Sequence, residues 1–308
     1  MSRATREAYG ETLVELVREG HDIMAVDADL AGSTKLADLQ KAFPKRFVDV
    51  GIAEQDMVGV AAGLSLTGRT VFTGSFAMFA TGRAYDQIRN TVCDSGLNVK
   101  ICPTHAGITV GEDGATHQSL EDIGMMRALP QMRVLVPADY WAAKAALRLA
   151  AEADGPFYVR MGRHKVPEIY DETFKGGVPY ATVLREGSDV TLVACGVEVA
   201  QSLAAADILI QEGISAEVID VFSVKPLDED AILASAAKTG RVVSVEEHNV
   251  ATGLGAAVAE LLAEKLPTPM RFAGMRTFGT SAPGDVLLSH FGLDGEGIAA
   301  RVREFVLA

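Results

Sequence analysis

Aromatic side chains are scarce, at 6% of the 308 residues with a single Trp, so bulky rings cannot fill the interior. Small aliphatic residues must fill it instead, and the 30 glycines and many alanines suit helices packed closely on sheets. Cysteine is nearly missing. Cys93, Cys102 and Cys195 form no C-x-x-C and no metal-ligand spacing, which excludes a disulfide framework and reads as reduced thiols in a cytoplasmic protein. Positive charge is also short: 28 Lys and Arg against 41 Asp and Glu leave a formal net charge of -13. That argues against nucleic acid or an anionic membrane as the main partner, but leaves room for small phosphorylated ligands held by a few local cations. The opening "MSRATREAYGETL" has no apolar signal core, and no run approaches membrane-spanning length. The expectation is a soluble cytoplasmic protein without a nucleic-acid or membrane partner.

What is present is 48% hydrophobic residues, enough for one large or two ordinary domains, with no internal repeat. Apolar spacing predicts a helix over 3–19, then "DIMAVDAD" as a buried strand ending in acids. Further strands are expected at 46–50, 70–73, 97–102, 132–136 and 156–160. Helices are expected from about 54 and over 79–94, 119–128 and 139–153. Residues 166–188 collect Pro, Gly and charges and read as a linker. A second alternating set follows, with "DVTLVAC", "AEVIDV", "RVVSVEE" and "MRFAGM" as strands between helices 198–212, 228–239 and 253–265. The fold class expected is α/β, in two domains (1–165 and 189–308), each a mostly parallel sheet flanked by helices. Ligands of such sheets sit at the carboxyl ends of the strands.

Chemistry-bearing residues collect at those ends. In "VDVGIAEQDMVGVAAGLSLTG", Glu54 interrupts a segment that reads as buried, where an unpartnered carboxyl is costly or takes up a proton. Locally it reads equally well as an acid at a helix N-terminus. The loop "PTHAGITVGEDGATHQSLED" holds His105, Asp113 and His117 among three glycines. Each histidine alone is unremarkable, but two with an aspartate in one strand-end loop point to a site, and the spacing fits no zinc motif. Phe76 and Phe79, three apart, are either a core helix face or a wall for a heteroaromatic ring. Arg6, Arg160, Arg163, His164 and Lys165 make a cationic group suited to phosphate. "GLGAAVAE" at 253–260 lacks the third glycine of a dinucleotide fingerprint and reads as helix packing.

Together, "DVGIAEQDM", "GSFAMF", "VGEDGATHQSLED", "ALPQMRVLVPAD" and "VEEH" resemble the C-terminal two-thirds of a transketolase, in that family's order and spacing. The resemblance implies a pyrimidine-binding domain followed by the family's C-terminal domain, and ketol transfer between sugar phosphates with thiamine diphosphate. It puts Glu54 on N1′ of the cofactor's aminopyrimidine, favouring the imino tautomer that deprotonates thiazolium C2. It puts Phe76 and Phe79 around the pyrimidine, Asp29 close to the cofactor, and His117 near the 4′-amino group as a catalytic partner of Glu54. It assigns Asp113 to the sugar's C2 hydroxyl, and His105, Arg6, Ser33 and Arg163 to the sugar phosphate. The family's diphosphate domain carries a G-D-G and a downstream asparagine that hold a divalent metal, and neither pattern occurs here. The resemblance therefore implies the smaller subunit of a split transketolase. A partner subunit would hold the metal (Mg or Ca), this chain none, and two such pairs would form a heterotetramer. The pathway implied is the pentose phosphate pathway or the breakdown of an unusual sugar. Rivals are half of a 1-deoxyxylulose-5-phosphate synthase, which typically lacks histidine at the His105 position, and a 2-oxoacid dehydrogenase β subunit, which lacks "GEDGATHQ". A third rival is a non-catalytic binding subunit of the same fold. Glu247 and His248 of "VEEH" are given no catalytic role, and the C-terminal domain is expected to serve assembly.

Overall fold

The structure, a computed structural model, describes residues 1–307. Strand β1 (Ser2–Ala4) leads into helix α1 (Glu7–Arg18), which buries Ala8, Tyr9, Thr12, Leu13 and Leu16 along one amphipathic face. There follow β2 (Ile23–Asp27), the short helices α2 (Ala31–Thr34) and α3 (Ala37–Ala42), β3 (Phe47–Asp49), α4 (Glu54–Ser65) and β4 (Thr70–Gly74). Next come β5 (Val99–Ile101), α5 (Asp122–Arg127), β6 (Arg133–Leu135), α6 (Tyr140–Glu152), β7 (Phe157–Val159) and β8 (Lys165–Pro167). The remainder runs β9 (Ala181–Arg185), β10 (Val190–Ala194), α7 (Glu198–Gln211), β11 (Ala216–Val221), β12 (Ser223–Lys225), α8 (Glu229–Thr239) and β13 (Val242–Asn249). It closes with α9 (Leu254–Lys265), β14 (Met270–Met275), α10 (Gly284–His290) and α11 (Gly295–Leu307). No helix among these residues is long and apolar enough to cross a membrane.

Two large sheets result, as the alternating pattern predicts. The first has seven strands in the order β12-β6-β7-β5-β4-β2-β3, parallel except for β12. The second has five in the order β14-β13-β10-β11-β9, parallel except for β9. Strands β10 and β11 are buried at every position, which explains why β10 reads as a nearly continuous rather than alternating apolar run, while β11 carries Glu217 and Asp220 inside. Register matters for function. Asp27 lies opposite both Asp49 and Gly74, Thr73 opposite Ile101, and Ile101 opposite Tyr158, so the carboxyl ends of five neighbouring strands finish at nearly one level.

The segment read as a linker makes specific contacts with both sheets. Its beginning lies in β8, which pairs antiparallel with β1, and β9 within it joins the second sheet. Asp139, the N-cap of α6, accepts the N–H groups of Ile169 and Tyr170, and Asp228, the N-cap of α8, accepts those of Tyr180 and Ala181. In the other direction, β12 leaves the second set and pairs with β6. Val134 and Val136 share one apolar cluster with Val193, Ile219 and Val221, so the two sheets are packed together.

Three local expectations need correction. Residues 79–94 form two π-helical runs, Met78–Arg83 and Gln87–Asp94, separated at Ala84 (φ −104°, ψ 17°). Apolar spacing reports the buried face of a helix and does not separate i→i+4 from i→i+5 bonding. The helix expected from 119 starts at Asp122, because Ser119 is drawn into a bridge with Ala106. The two helices after β14 carry no clear sequence signal and were not expected.

Candidate active site

At the end of β2 the buried Asp27 accepts hydrogen bonds from the Leu30 N–H (2.6 Å) and the Thr34 hydroxyl (3.1 Å). Burial, with Asp49 nearby, pushes its carboxyl up to about 7 against those donors. The neighbouring strand must be a glycine there. A Cβ on Gly74 would stand 2.4 Å from the Asp27 carboxylate and 2.3 Å from Leu36. The turn puts Asp29 in the left-handed region (φ 63°), where its N–H donates to Asp49 Oδ1. Ser33 enters the site by its backbone: its carbonyl accepts from Arg6 Nη1 at 2.9 Å.

Glu54 is the first residue of α4 and is 1% exposed. It does not cap the helix with its side chain. One oxygen accepts from the Ser75 hydroxyl (3.3 Å) and the other from Arg83 Nη1 (2.6 Å). Arg83, 49% exposed at its side chain, lays its guanidinium 4.9 Å from the centre of the Phe79 ring. Sequence reasoning passed over Arg83. Its signal was position, one helical turn beyond Phe79 and alone as a cation between Arg69 and Arg89.

Phe76 and Phe79 form a wall rather than a closed core face, both remaining partly exposed. Their rings stack at 6.1 Å, His105 stacks on Phe76 at 3.8 Å, and His117 meets Phe79 edge-on at 5.1 Å. The loop after β5 is held to this wall by the bridge between Thr104 and Phe76. His105 is another non-glycine residue in the left-handed region (φ 59°), the strain typical of functional loops. Its Nε2 faces Arg6 Nη1 at 3.3 Å, and its Nδ1 lies 2.7 Å from Thr104 Oγ1. A guanidinium can only donate, so Nε2 accepts and the ring proton sits on Nδ1, donated to Thr104. Burial, then the charges of Arg6 and Arg163, lower the His105 pKa to about 3, so the ring is neutral at ordinary pH.

The cationic group narrows on inspection. Arg163 reaches Asp113 (3.3 Å) and Glu112 (3.7 Å) beside Arg6, whose Nε is buried without a partner. Burial and then Arg163 weaken the proton affinity of Arg6, as expected of two like charges awaiting an anion. Arg160, by contrast, is buried, pairs with Asp122 at 2.7 Å and is not free to take a phosphate. His164 pairs with Asp285 of α10 at 3.1 Å. Strand-end position looks the same in sequence whether a side chain turns to solvent or to a neighbouring domain. The site is an open face: a cavity of about 540 Å³ lined by Trp141, Arg148 and Phe174 shares none of its residues.

Glu54, Phe76, Phe79, His105, Asp113, His117, Arg163, Ser33 and Asp29 thus lie at or just beyond the carboxyl ends of β2, β4, β5 and β7 or on the α4 end beside them, and Arg6, at the start of α1, reaches this group through Ser33 and His105. Comparison with known proteins places both halves of the chain in one family. Residues 1–168 match the family model of the transketolase pyrimidine-binding domain, and residues 179–298 that of the transketolase C-terminal domain. The chain is 48% identical to a protein of Methanocaldococcus jannaschii described as a transketolase C-terminal section, over 98% of this chain and 96% of that one. It is 42% identical to a 6-deoxy-6-sulfo-D-fructose transketolase subunit of Clostridium sp. (strain MSTE9), over 97% of this chain and 93% of that one. A solved split gene transketolase, an inactive β4 tetramer, superposes with a TM-score of 0.91 at 47% identity, over 100% of this chain and 99% of that one. A likeness of this strength, running the length of both sheets, makes the chain a member of the transketolase family.

Proposed function

We propose that this chain is the smaller subunit of a split, thiamine-diphosphate-dependent transketolase. In this reading it transfers a two-carbon ketol unit from a ketose phosphate to an aldose phosphate, once a partner subunit supplies the diphosphate and divalent-metal site. The observation that carries the reading is the Glu54–Arg83–Phe79 arrangement. A planar N–H donor there lies against an aromatic ring and donates to a buried carboxylate. An aminopyrimidine protonated at N1′ has the same complement, flat and able to donate N1′–H to Glu54, so the residues present fit the cofactor's ring. When bound, thiamine diphosphate supplies the nucleophilic carbon that makes and breaks the carbon–carbon bond.

This chain's residues then have separable tasks. Glu54 holds the proton at pyrimidine N1′, and Phe76 and Phe79 keep the ring flat and exclude water on one side. His117, edge-on to Phe79, would lie beside the bound ring and assist proton movement at its 4′-amino group. Neutral His105 accepts or donates along the sugar without adding charge, while Arg6 and Arg163 take the terminal phosphate. Asp113, now bonded to Arg163, reads the sugar's C2 hydroxyl, and Asp29 closes the cofactor side. The inactive β4 tetramer of the similar split-gene protein supports dependence on a partner, with a heterotetramer as the working assembly. A relative named for 6-deoxy-6-sulfo-D-fructose supports a ketose with an anionic terminus without fixing which one.

The test is calorimetric titration of thiamine diphosphate with magnesium into the chain alone and into the chain mixed with a G-D-G-containing partner. Tight binding only in the mixture is the expected outcome, and tight binding by the isolated chain would overturn the shared-site account. In the mixture, Glu54→Gln is expected to lower turnover by about 100-fold or more while the folded chain persists.

A further inference from the structure

We propose that Glu247, in the C-terminal domain, is a positioning residue: its carboxylate braces the loop that presents His105, Asp113 and His117. Its role in turnover rests on the transketolase reading, but the brace itself does not. Glu247 lies on β13 of the second sheet, is 3% exposed, and turns its side chain toward the first domain. Its Oε2 accepts from both the Thr109 N–H (3.1 Å) and the Thr109 hydroxyl (2.8 Å). The loop backbone lies flat against it, for a Cβ on Gly107 would stand 2.1 Å from the Glu247 carboxyl carbon.

Arg160 fixes the carboxylate from behind. It lies 3.7 Å from Glu247 Oε1, donates to the Glu247 carbonyl (3.2 Å) and to the Ser119 carbonyl (3.3 Å), and pairs with Asp122. One buried guanidinium therefore grips the end of the loop, the first helix after it and the strand that braces it. Two further contacts come from the same domain. Gln118 Nε2 donates to the Thr280 carbonyl at 2.9 Å, and the Ser281 hydroxyl donates to the Glu112 carbonyl at 2.6 Å. Removing the carboxylate would leave the Thr109 donors unpaired in a buried space and take one of two acidic neighbours from Arg160, the situation in which a loop shifts or opens locally. A shift of about 1 Å at His105 or Asp113 is enough to cost up to about 100-fold in turnover.

Hydrogen exchange and steady-state kinetics on the full chain, free and assembled with its partner, test this through Glu247→Ala, Glu247→Gln and Thr109→Val. In Glu247→Ala, amide exchange over residues 105–118 is expected to quicken about 10-fold or more, with α1 and β2 unchanged. Assembled with partner, the same variant is expected to raise KM for the sugar phosphate by about 10-fold and leave thiamine diphosphate affinity within about 2-fold. Glu247→Gln, which keeps an acceptor for Thr109, is expected to restore most of both readouts. If Glu247→Ala does not fold, Thr109→Val gives the same test in milder form. Unchanged exchange in the loop, or faster exchange spread evenly over the second domain, would overturn the proposal. An inactive wild-type mixture would instead refute the transketolase reading, and the exchange result would still decide the brace.

Discussion

Glu54 and Arg83 form a pair of unequal members, one carboxylate sealed at the foot of a helix and one guanidinium half in water. Removing the exposed partner strands the buried one, so Arg83→Met is expected to destabilise the free chain by about 1–3 kcal/mol. Glu54→Gln together with Arg83→Met should recover most of that loss, because no buried charge then lacks its partner. Denaturant unfolding of both single variants and the double variant measures the coupling, and additive losses would show that the pair does not interact. The same pair shows what the sequence could reveal about a site. Glu54 was legible because a carboxyl inside an apolar run demands an explanation. Arg83 was not, since an arginine on a helix has the same local pattern whether it faces solvent or a buried acid. Arg160 was misassigned to phosphate for the complementary reason: its partners Asp122 and Glu247 are distant in sequence.

At the scale of elements, the strands lie nearly where apolar runs placed them, and most of the candidate site residues lie at their carboxyl ends. The loop between Cys102 and Ser119 was legible as chemistry but not as shape, because its path depends on contacts from β13 and the segment after β14. Gly107 is where that dependence is sharpest. It has φ 81° and lies against the Glu247 carboxylate, so Gly107→Ala combines left-handed strain with a clash. The expected cost is about 2 kcal/mol or more, against about 1 kcal/mol for Gly68→Ala, which has φ 88° but open space around it. Chemical denaturation of the two variants side by side separates strain from contact, and equal losses would deny that the contact matters. The π-helical runs beside Glu54 were hidden because one extra residue per turn leaves the buried face almost unchanged.

Over the whole molecule, the acidic balance extends inside. Asp220, fully buried on β11 with one oxygen bonded by the Tyr170 hydroxyl and the other unpartnered, has its pKa raised by burial to about 7. A carboxyl with a raised folded-state value holds a proton that the unfolded chain has released. Its contribution to stability is therefore complete below the ordinary aspartate range and lost as pH climbs through about 7. Between pH 5 and pH 8 the melting temperature of Asp220→Asn should rise relative to the parent by about 5 °C, read by thermal unfolding at both pH values. A difference that does not change with pH would mean the carboxyl is ionised throughout.

The loan of β12 to the first sheet reaches beyond stability. A strand made late in the chain completes the edge of a sheet built early, beside β6. Genetic exchange that replaced either half with that of another enzyme would deliver one sheet missing its outermost strand and one strand missing its sheet. Only an exchange that carried β1 to β12 in one piece would keep the first sheet whole. A lineage could lengthen, shorten or divide its gene elsewhere, but the stretch from β1 to β12 resists being cut.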